Sequence, residues 1–183
     1  SRATIGGMTG NNSCGARSIH YGTMRDNVRA VDAIMADGQA FHFGELPADL
    51  AGLNPAYQAL AGRLTDIGAR EAAEINARFP DLMRRVGGYN VDALLAHGLA
   101  RGDWNNHIVH EPERAPHLGH LLVGSEGTLA FSTAVELKLQ PLPVSKTLGV
   151  CHFPRFYDAM AAAQHLVKLG PVAVELVDRT MIG

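Results

Sequence analysis

Residues 4–22 read TIGGMTGNNSCGARSIHYG, and the fold is read outward from this stretch. Glycine lacks a Cβ, so backbone at Gly6, Gly7 and Gly15 approaches a ligand more closely than any side chain would allow. Asn11, Asn12, Ser13 and Ser18 add neutral hydrogen-bonding groups. Exposed N–H groups in such a run cradle phosphate oxygens without a lysine. The stretch holds neither GxxxxGK[ST] nor GxGxxG, so it is not a P-loop or a dinucleotide fingerprint. On these residues alone, a tight Gly-Asn turn that binds nothing fits equally well. The expected conformation is loop or broken helix.

Beyond it, residues 28–36 (VRAVDAIMA) suit a strand, Asp37-Gly38 a turn, and residues 39–43 the returning strand of a hairpin. Asn54-Pro55 reads as a cap followed by a first-turn proline. Tyr57, Leu60, Leu64, Ile67, Ile75 and Phe79 recur at helical spacing until Pro80, which predicts a helix over 55–78. A shorter helix is expected over 91–100, then an irregular loop over 101–119, and a short apolar strand at 121–123. From Phe131 to Leu139 apolar and polar residues alternate, the pattern of a half-buried strand. Pro141-Leu142-Pro143 ends it and marks a domain boundary. A strand at 147–153, a helix at 156–169, a break at Gly170-Pro171 and a strand at 172–177 then open a second, βαβ-ordered domain.

Composition sets outer limits. The 183 residues are 46% hydrophobic and 19% charged, which is globular and not disordered. A formal net charge of -2 offers no field to gather nucleic acid. No apolar run approaches the ~20 residues needed to span a bilayer, and no signal peptide stands at the start. Cys14 and Cys151 are far apart and outside any CxxC pattern, which argues against a disulfide framework or a cysteine-held metal. Two free thiols suit a reducing, cytoplasmic compartment, with a peripheral place on the inner face of the membrane left open. The chain opens Ser-Arg-Ala-Thr and ends Met181-Ile182-Gly183, and both ends read as cuts through a longer protein.

Two further segments offer chemistry. Gly124-Ser125-Glu126-Gly127-Thr128-Leu129 sets a carboxylate between two glycines, which suits a sharp turn near a ligand as well as an ordinary connection. Arg84-Arg85-Val86-Gly87-Gly88-Tyr89-Asn90 places two arginines beside a Gly-Gly turn, facing an anion or capping a solvated helix end. His107, His110, His117 and His120 cluster in the loop, but their spacing matches no recognised zinc signature, and polar-loop histidines are the simpler reading. Met8, Met24, Met35 and Met83 form no stripe and read as core filler, and Cys14 as a small buried residue and not a nucleophile.

Taken in order, these segments resemble the FAD-linked oxidases of the vanillyl-alcohol oxidase type, and within them the D-lactate, glycolate and D-2-hydroxyglutarate dehydrogenases. That family carries a T-[IL]-G-G-x-x-x-x-N-x-x-G-x-x-S-x-x-Y-G stretch, here Thr4 to Gly22. A strand and an Ala-Asp-Gly turn follow, here Ala36-Asp37-Gly38. Its G-S-E-G-T-L stretch stands at 124–129, before a strand ending in Pro-Leu-Pro, and its Gly-Tyr-Asn triplet at 88–90. The resemblance covers nearly the whole chain.

It implies an α+β fold: the second half of a two-part FAD-binding domain at 1–143, a mixed or antiparallel sheet with helices, and the start of a substrate cap at 144–183. The other Gly-rich half would precede this chain. Thr4, Gly6, Gly7, Asn11, Asn12, Gly15, Ser18, Tyr21 and Gly22 match the family's flavin-contacting stretch. Glu126, Gly127 and the strand entry at Phe131 match the part beside the cofactor, although the family often has a small β-branched residue where Phe131 stands. Arg85 is the candidate for an anionic substrate group. The family's base, usually a histidine, and its carboxylate-gripping arginines lie in the cap beyond Gly183, so no catalytic base is assigned here. Some relatives add an iron–sulfur domain, and nothing in these residues indicates one.

The implied activity is oxidation of a 2-hydroxy acid with electrons passed to an acceptor. The alternative is a non-catalytic flavin-domain piece unable to retain FAD alone. Apolar surface left by a missing half also implies self-association.

Overall fold

The computed structural model describes residues 2–80, 82, 84–95, 101, 102, 108, 109 and 115–182. Short helices α1 (Ile5–Gly10), α2 (Ser18–Tyr21) and α3 (Met24–Asn27) lead into strand β1 (Val28–Ile34), strand β2 (Ala40–Phe43) and helix α4 (Pro55–Arg78). A 3-10 turn (Val91–Leu94), strands β3 (Arg101–Gly102) and β4 (Ile108–Val109), helix α5 (Leu118–Leu122) and strand β5 (Phe131–Leu137) follow. Helix α6 (Phe156–Leu166), a 3-10 turn (Val167–Leu169) and helix α7 (Arg179–Ile182) come last.

The result is a small α+β unit built on an antiparallel sheet ordered β2–β1–β5. Central strand β1 supplies Val28, Val31 and Ala33 to the core, where they meet Phe43, Leu118, Leu122 and Val123, with Tyr57 and Ala61 of α4 and Leu94. The β1–β2 hairpin closes through Met35 N–H to the Gln39 carbonyl at 2.8 Å, with Gly38 at φ 83 as the turn chemistry requires.

Local signals explain the boundaries. The Asn54 side chain accepts the N–H groups of Ala56 at 2.9 Å and Tyr57 at 3.4 Å, Pro55 takes the first turn, and α4 ends before Pro80. The expected helix over 55–78 is therefore found at its expected limits. The expected broken helix over 4–22 is α1 and α2, interrupted at Asn12, whose φ is 50. Gly22 ends α2 at φ 77, where a Cβ would lie 2.7 Å from Asp26 Cβ.

Several expectations are corrected. The helix expected over 91–100 is a 3-10 turn over Val91–Leu94, followed by extended Leu95, with 96–100 outside the described residues. The strand expected at 121–123 is the end of α5 and its cap, because His117 opens a helical turn there by accepting His120 N–H on its ring at 3.2 Å. The irregular loop over 101–119 contains the β3–β4 pair and the start of α5.

Strand β5 forms, but half-burial holds only for Val135 and Leu137, while Phe131 is 72% exposed. The strands expected at 147–153 and 172–177 have no pairing among the described residues. Extended chain becomes a strand only when a neighbour takes its N–H and C=O groups. No described residue beyond Ala130 is buried, so packing does not supply that neighbour. The helix at 156–169 is realised as α6 and its 3-10 extension.

Candidate functional site

Three segments that lie apart in the sequence meet in the fold. Glu126 N–H donates to the Gly10 carbonyl at 2.8 Å, and Gly124 N–H to the Thr9 carbonyl at 3.0 Å. The end of α1 and the 124–127 turn thus run side by side. Gly124 sits at φ 82, and a Cβ there would lie 3.2 Å from Asn12 Cβ, so glycine is needed for both conformation and space. The 84–90 segment closes the third side. Asn90 Nδ2 donates to the Val123 carbonyl at 2.7 Å, Asn12 Nδ2 donates to the Arg85 carbonyl at 3.3 Å, and the Tyr89 and Thr128 hydroxyls are 2.8 Å apart.

The predicted residues divide by exposure. Thr4, Gly6, Gly7, Asn11, Gly15, Glu126 and Gly127 lie on the surface, and Ser18, Tyr21 and Gly22 are half-buried. A Cβ placed on Gly6, Gly15 or Gly127 would meet nothing within 4 Å. Bare backbone therefore opens onto free space at these three positions. Thr4 caps α1 by accepting Gly7 N–H at 3.1 Å, and Ser18 Oγ accepts Gly15 N–H at 3.0 Å, so both hydroxyls shape the backbone. Glu126 adopts φ 52, a left-handed conformation that is uncommon for a residue with a side chain. Phe131 stands exposed at the entry of β5, opposite Ile34.

Two residues are placed otherwise than a ligand-contacting role expects. Asn12 is 1% exposed, and its side chain is spent inside the protein: Oδ1 accepts Arg25 N–H at 2.9 Å while Nδ2 binds the Arg85 carbonyl. Arg85, expected to face an anion, has that anion within the chain. Its Nη2 donates to Asp92 Oδ1 at 2.5 Å and Asn90 Oδ1 at 3.0 Å, and its guanidinium lies 4.5 Å above the Phe79 ring. Its neighbour Arg84 is the exposed one, with Nη1 3.4 Å from the Gly15 carbonyl.

Sequence reasoning missed Arg25 and Asp92, and named Asn90 in the Gly-Tyr-Asn triplet without giving it a role. Arg25 Nη1 donates to Asp92 Oδ2 at 2.6 Å and Asn90 Oδ1 at 3.2 Å, all three residues buried. The available signal was weak: an arginine at the end of a motif stretch and an aspartate just after Gly-Tyr-Asn, with nothing in the sequence to join them.

The rings of His117 and His120 stack at 3.6 Å in the interior, and His120 Nε2 lies 3.0 Å from the Val28 carbonyl. His107, His110 and Met83 lie outside the described residues. No group of three potential metal ligands occurs among the described residues. Cys14, expected to be buried, is exposed. Met24 and Met35 pack against the core as expected. Among the described residues no helix is long and apolar enough to cross a membrane.

The sequence is similar to that of known proteins. A family model described as an FAD binding domain matches residues 1–44, which contain the whole glycine-rich stretch. The chain is similar over nearly its whole length to proteins named D-2-hydroxyglutarate dehydrogenase and D-lactate dehydrogenase, and its first 44 residues match an FAD binding domain. It is 30% identical over 188 residues to the D-2-hydroxyglutarate dehydrogenase of Pseudomonas putida, covering 99% of this chain and 17% of that protein. It is 28% identical over 185 residues to the enzyme of the same name from Escherichia coli, covering 99% of this chain and 17% of that protein. It is 26% identical over 181 residues to the D-lactate dehydrogenase of Archaeoglobus fulgidus, covering 98% of this chain and 27% of that protein. The chain thus spans about a sixth to a quarter of the length of these relatives.

Proposed function

We propose that this chain forms one wall of the FAD site of a dehydrogenase acting on a 2-hydroxy acid such as D-lactate, glycolate or D-2-hydroxyglutarate. In this reading residues 1–143 are the second half of a two-part flavin domain and residues 144–183 begin the substrate cap. The observation that carries it is the hydrogen bond from Glu126 N–H to the Gly10 carbonyl, which joins the glycine-rich stretch and the 124–127 turn into a single surface.

The residues fit the cofactor by shape. Backbone at Gly6 and Gly15 borders open space and lets the pyrophosphate and ribityl chain approach, while at Gly7 a Cβ would press on the capping Thr4 hydroxyl at 3.1 Å. Thr4, Asn11, Ser18, Tyr21 and Gly22 hold that backbone and offer neutral polar contacts, and Glu126, Gly127 and Phe131 border the ring. Bound there, FAD supplies the two-electron acceptor for the hydrogen removed from the hydroxyl-bearing carbon. This chain's own part is to bind, orient and shield. Asn12 and Arg85 serve it from inside, holding the wall together. No residue here is assigned as the base.

The test is a titration of the isotope-labelled chain with FAD, followed by NMR. The reading expects amide shifts confined to 4–22, 88–90 and 124–131. Affinity of the chain alone should be weak, because one wall leaves most of the nucleotide in water. Shifts centred on β2 and α4, or none at millimolar FAD, would sink it.

A further inference from the structure

Buried Arg25 and Asp92 and half-buried Arg85, all outside the flavin-facing list, form a closed circuit with one residue inside it. Asn12 Oδ1 accepts Arg25 N–H, and the Arg25 guanidinium donates to Asp92 Oδ2. Asp92 Oδ1 accepts from the Arg85 guanidinium, and the Arg85 carbonyl accepts from Asn12 Nδ2. The ring returns to its start through four residues drawn from two distant segments. Asp92 is 2% exposed and is the one carboxylate in the ring, taking both guanidiniums.

We infer that Asp92 is a positioning residue for the flavin-facing wall, a claim that rests on the function proposed above. Its reach follows from what lies one bond further on. Asn12 holds φ 50 immediately after Gly10 and Asn11, so its fixed side chain sets the direction in which the Gly10 carbonyl points toward Glu126 N–H. The same two guanidiniums that bind Asp92 also bind Asn90 Oδ1, and Asn90 Nδ2 grips the Val123 carbonyl next to Gly124. Asp92 therefore acts on both halves of the wall, on the glycine-rich stretch through Asn12 and on the 124–127 turn through Asn90. A carboxylate suits the place because its two oxygens accept from both arginines at once. Removing it leaves two guanidiniums facing each other across a buried space.

The experiment uses the full chain with two variants, Asp92→Asn and the milder Arg85→Gln, which leaves the Arg25–Asp92 pair intact and so guards against failure to fold. Two readouts are taken: amide hydrogen exchange at Gly124 and Glu126 against that in α4, and FAD affinity by NMR titration. Positioning predicts faster exchange at Gly124 and Glu126 with α4 unchanged, and FAD binding weakened roughly tenfold, the scale on which groups one step removed from a ligand act. Exchange that quickens equally in α4 reports general destabilisation and overturns the inference. So does a folded variant with wild-type exchange and wild-type affinity. If the unmodified chain gives no FAD response at the wall, the functional reading fails by itself, while the exchange arm still decides whether Asp92 sets the wall's geometry.

Discussion

Helix α4 carries two interior glycines whose replacement by alanine should act with opposite sign. Intrinsic propensity favours alanine over glycine by about 1 kcal/mol at an interior helical position. A Cβ on Gly62 meets nothing within 4 Å, so Gly62→Ala should collect that gain and stabilise by about 0.5–1 kcal/mol. A Cβ on Gly68 would lie 2.6 Å from the Leu94 carbonyl oxygen and 2.8 Å from Leu94 Cβ. Neither atom is the loose end of a flexible side chain, so the helix or the 3-10 turn must move. Forced overpacking of this kind costs about 1–3 kcal/mol, which cancels or exceeds the propensity gain. Because both variants share the same intrinsic term, their difference of about 1–3 kcal/mol measures the close approach alone. Circular-dichroism melts should separate them by several degrees, at roughly 2–4 °C per kcal/mol for a chain of this size. Equal melting of the two variants, or Gly68→Ala melting above the unmodified chain, would refute the packing of α4 on the turn that carries Asp92.

Other outcomes follow from single features. Asn54→Ala removes the acceptor for two N–H groups at the start of α4 and should cost about 1 kcal/mol in chemical denaturation. Burial pushes the Tyr57 phenol up to about 12 from its ordinary 10.0. The unfolded chain therefore sheds that proton first, and the stability contributed by neutral Tyr57 is intact below pH 10 and lost as pH rises toward 12; Tyr57→Phe should flatten this decline in denaturation curves. Glu126→Gly should relieve the left-handed backbone at φ 52 and raise stability by about 1 kcal/mol while weakening FAD binding, and a gain in both would remove Glu126 from the proposed site. Exposed Leu139, Leu142, Val144 and Leu148 should make the chain associate with rising concentration, which a clean monomer in sedimentation would contradict.

What was legible in the sequence was whatever has a local cause. Helix α4 carries its own cap in Asn54, its own start in Pro55 and its own stop in Pro80, and all three act over a few residues. The β1–β2 hairpin announces itself through Asp37-Gly38. Where the cause is tertiary the reading failed. Leu121-Leu122-Val123 is too short to show a period, so its composition suggests a strand where His117 opens a helical turn. The alternation in β5 was visible, yet its burial depends on what covers the sheet, and nothing described covers Phe131. Residues 147–153 and 172–177 have strand composition without a ladder partner among the described residues.

The candidate site shows the same division more sharply. Motifs at 4–22, 88–90 and 124–129 could be read one by one, but their convergence rests on bonds such as Gly124 N–H to Thr9 that join residues over a hundred positions apart. The arginines illustrate why charge is a poor guide when its partner is unknown. Arg85 suggested an outward anion contact because Asp92, the carboxylate it meets, stands beyond a Gly-Gly turn in what read as the next helix. Once both are placed, the charges of Arg85 and Asp92 lie behind the wall, and Arg84 and Glu126 are exposed charges at its face. In the proposed site the Arg25, Arg85 and Asp92 ions would set the position of the backbone and not grip the ligand.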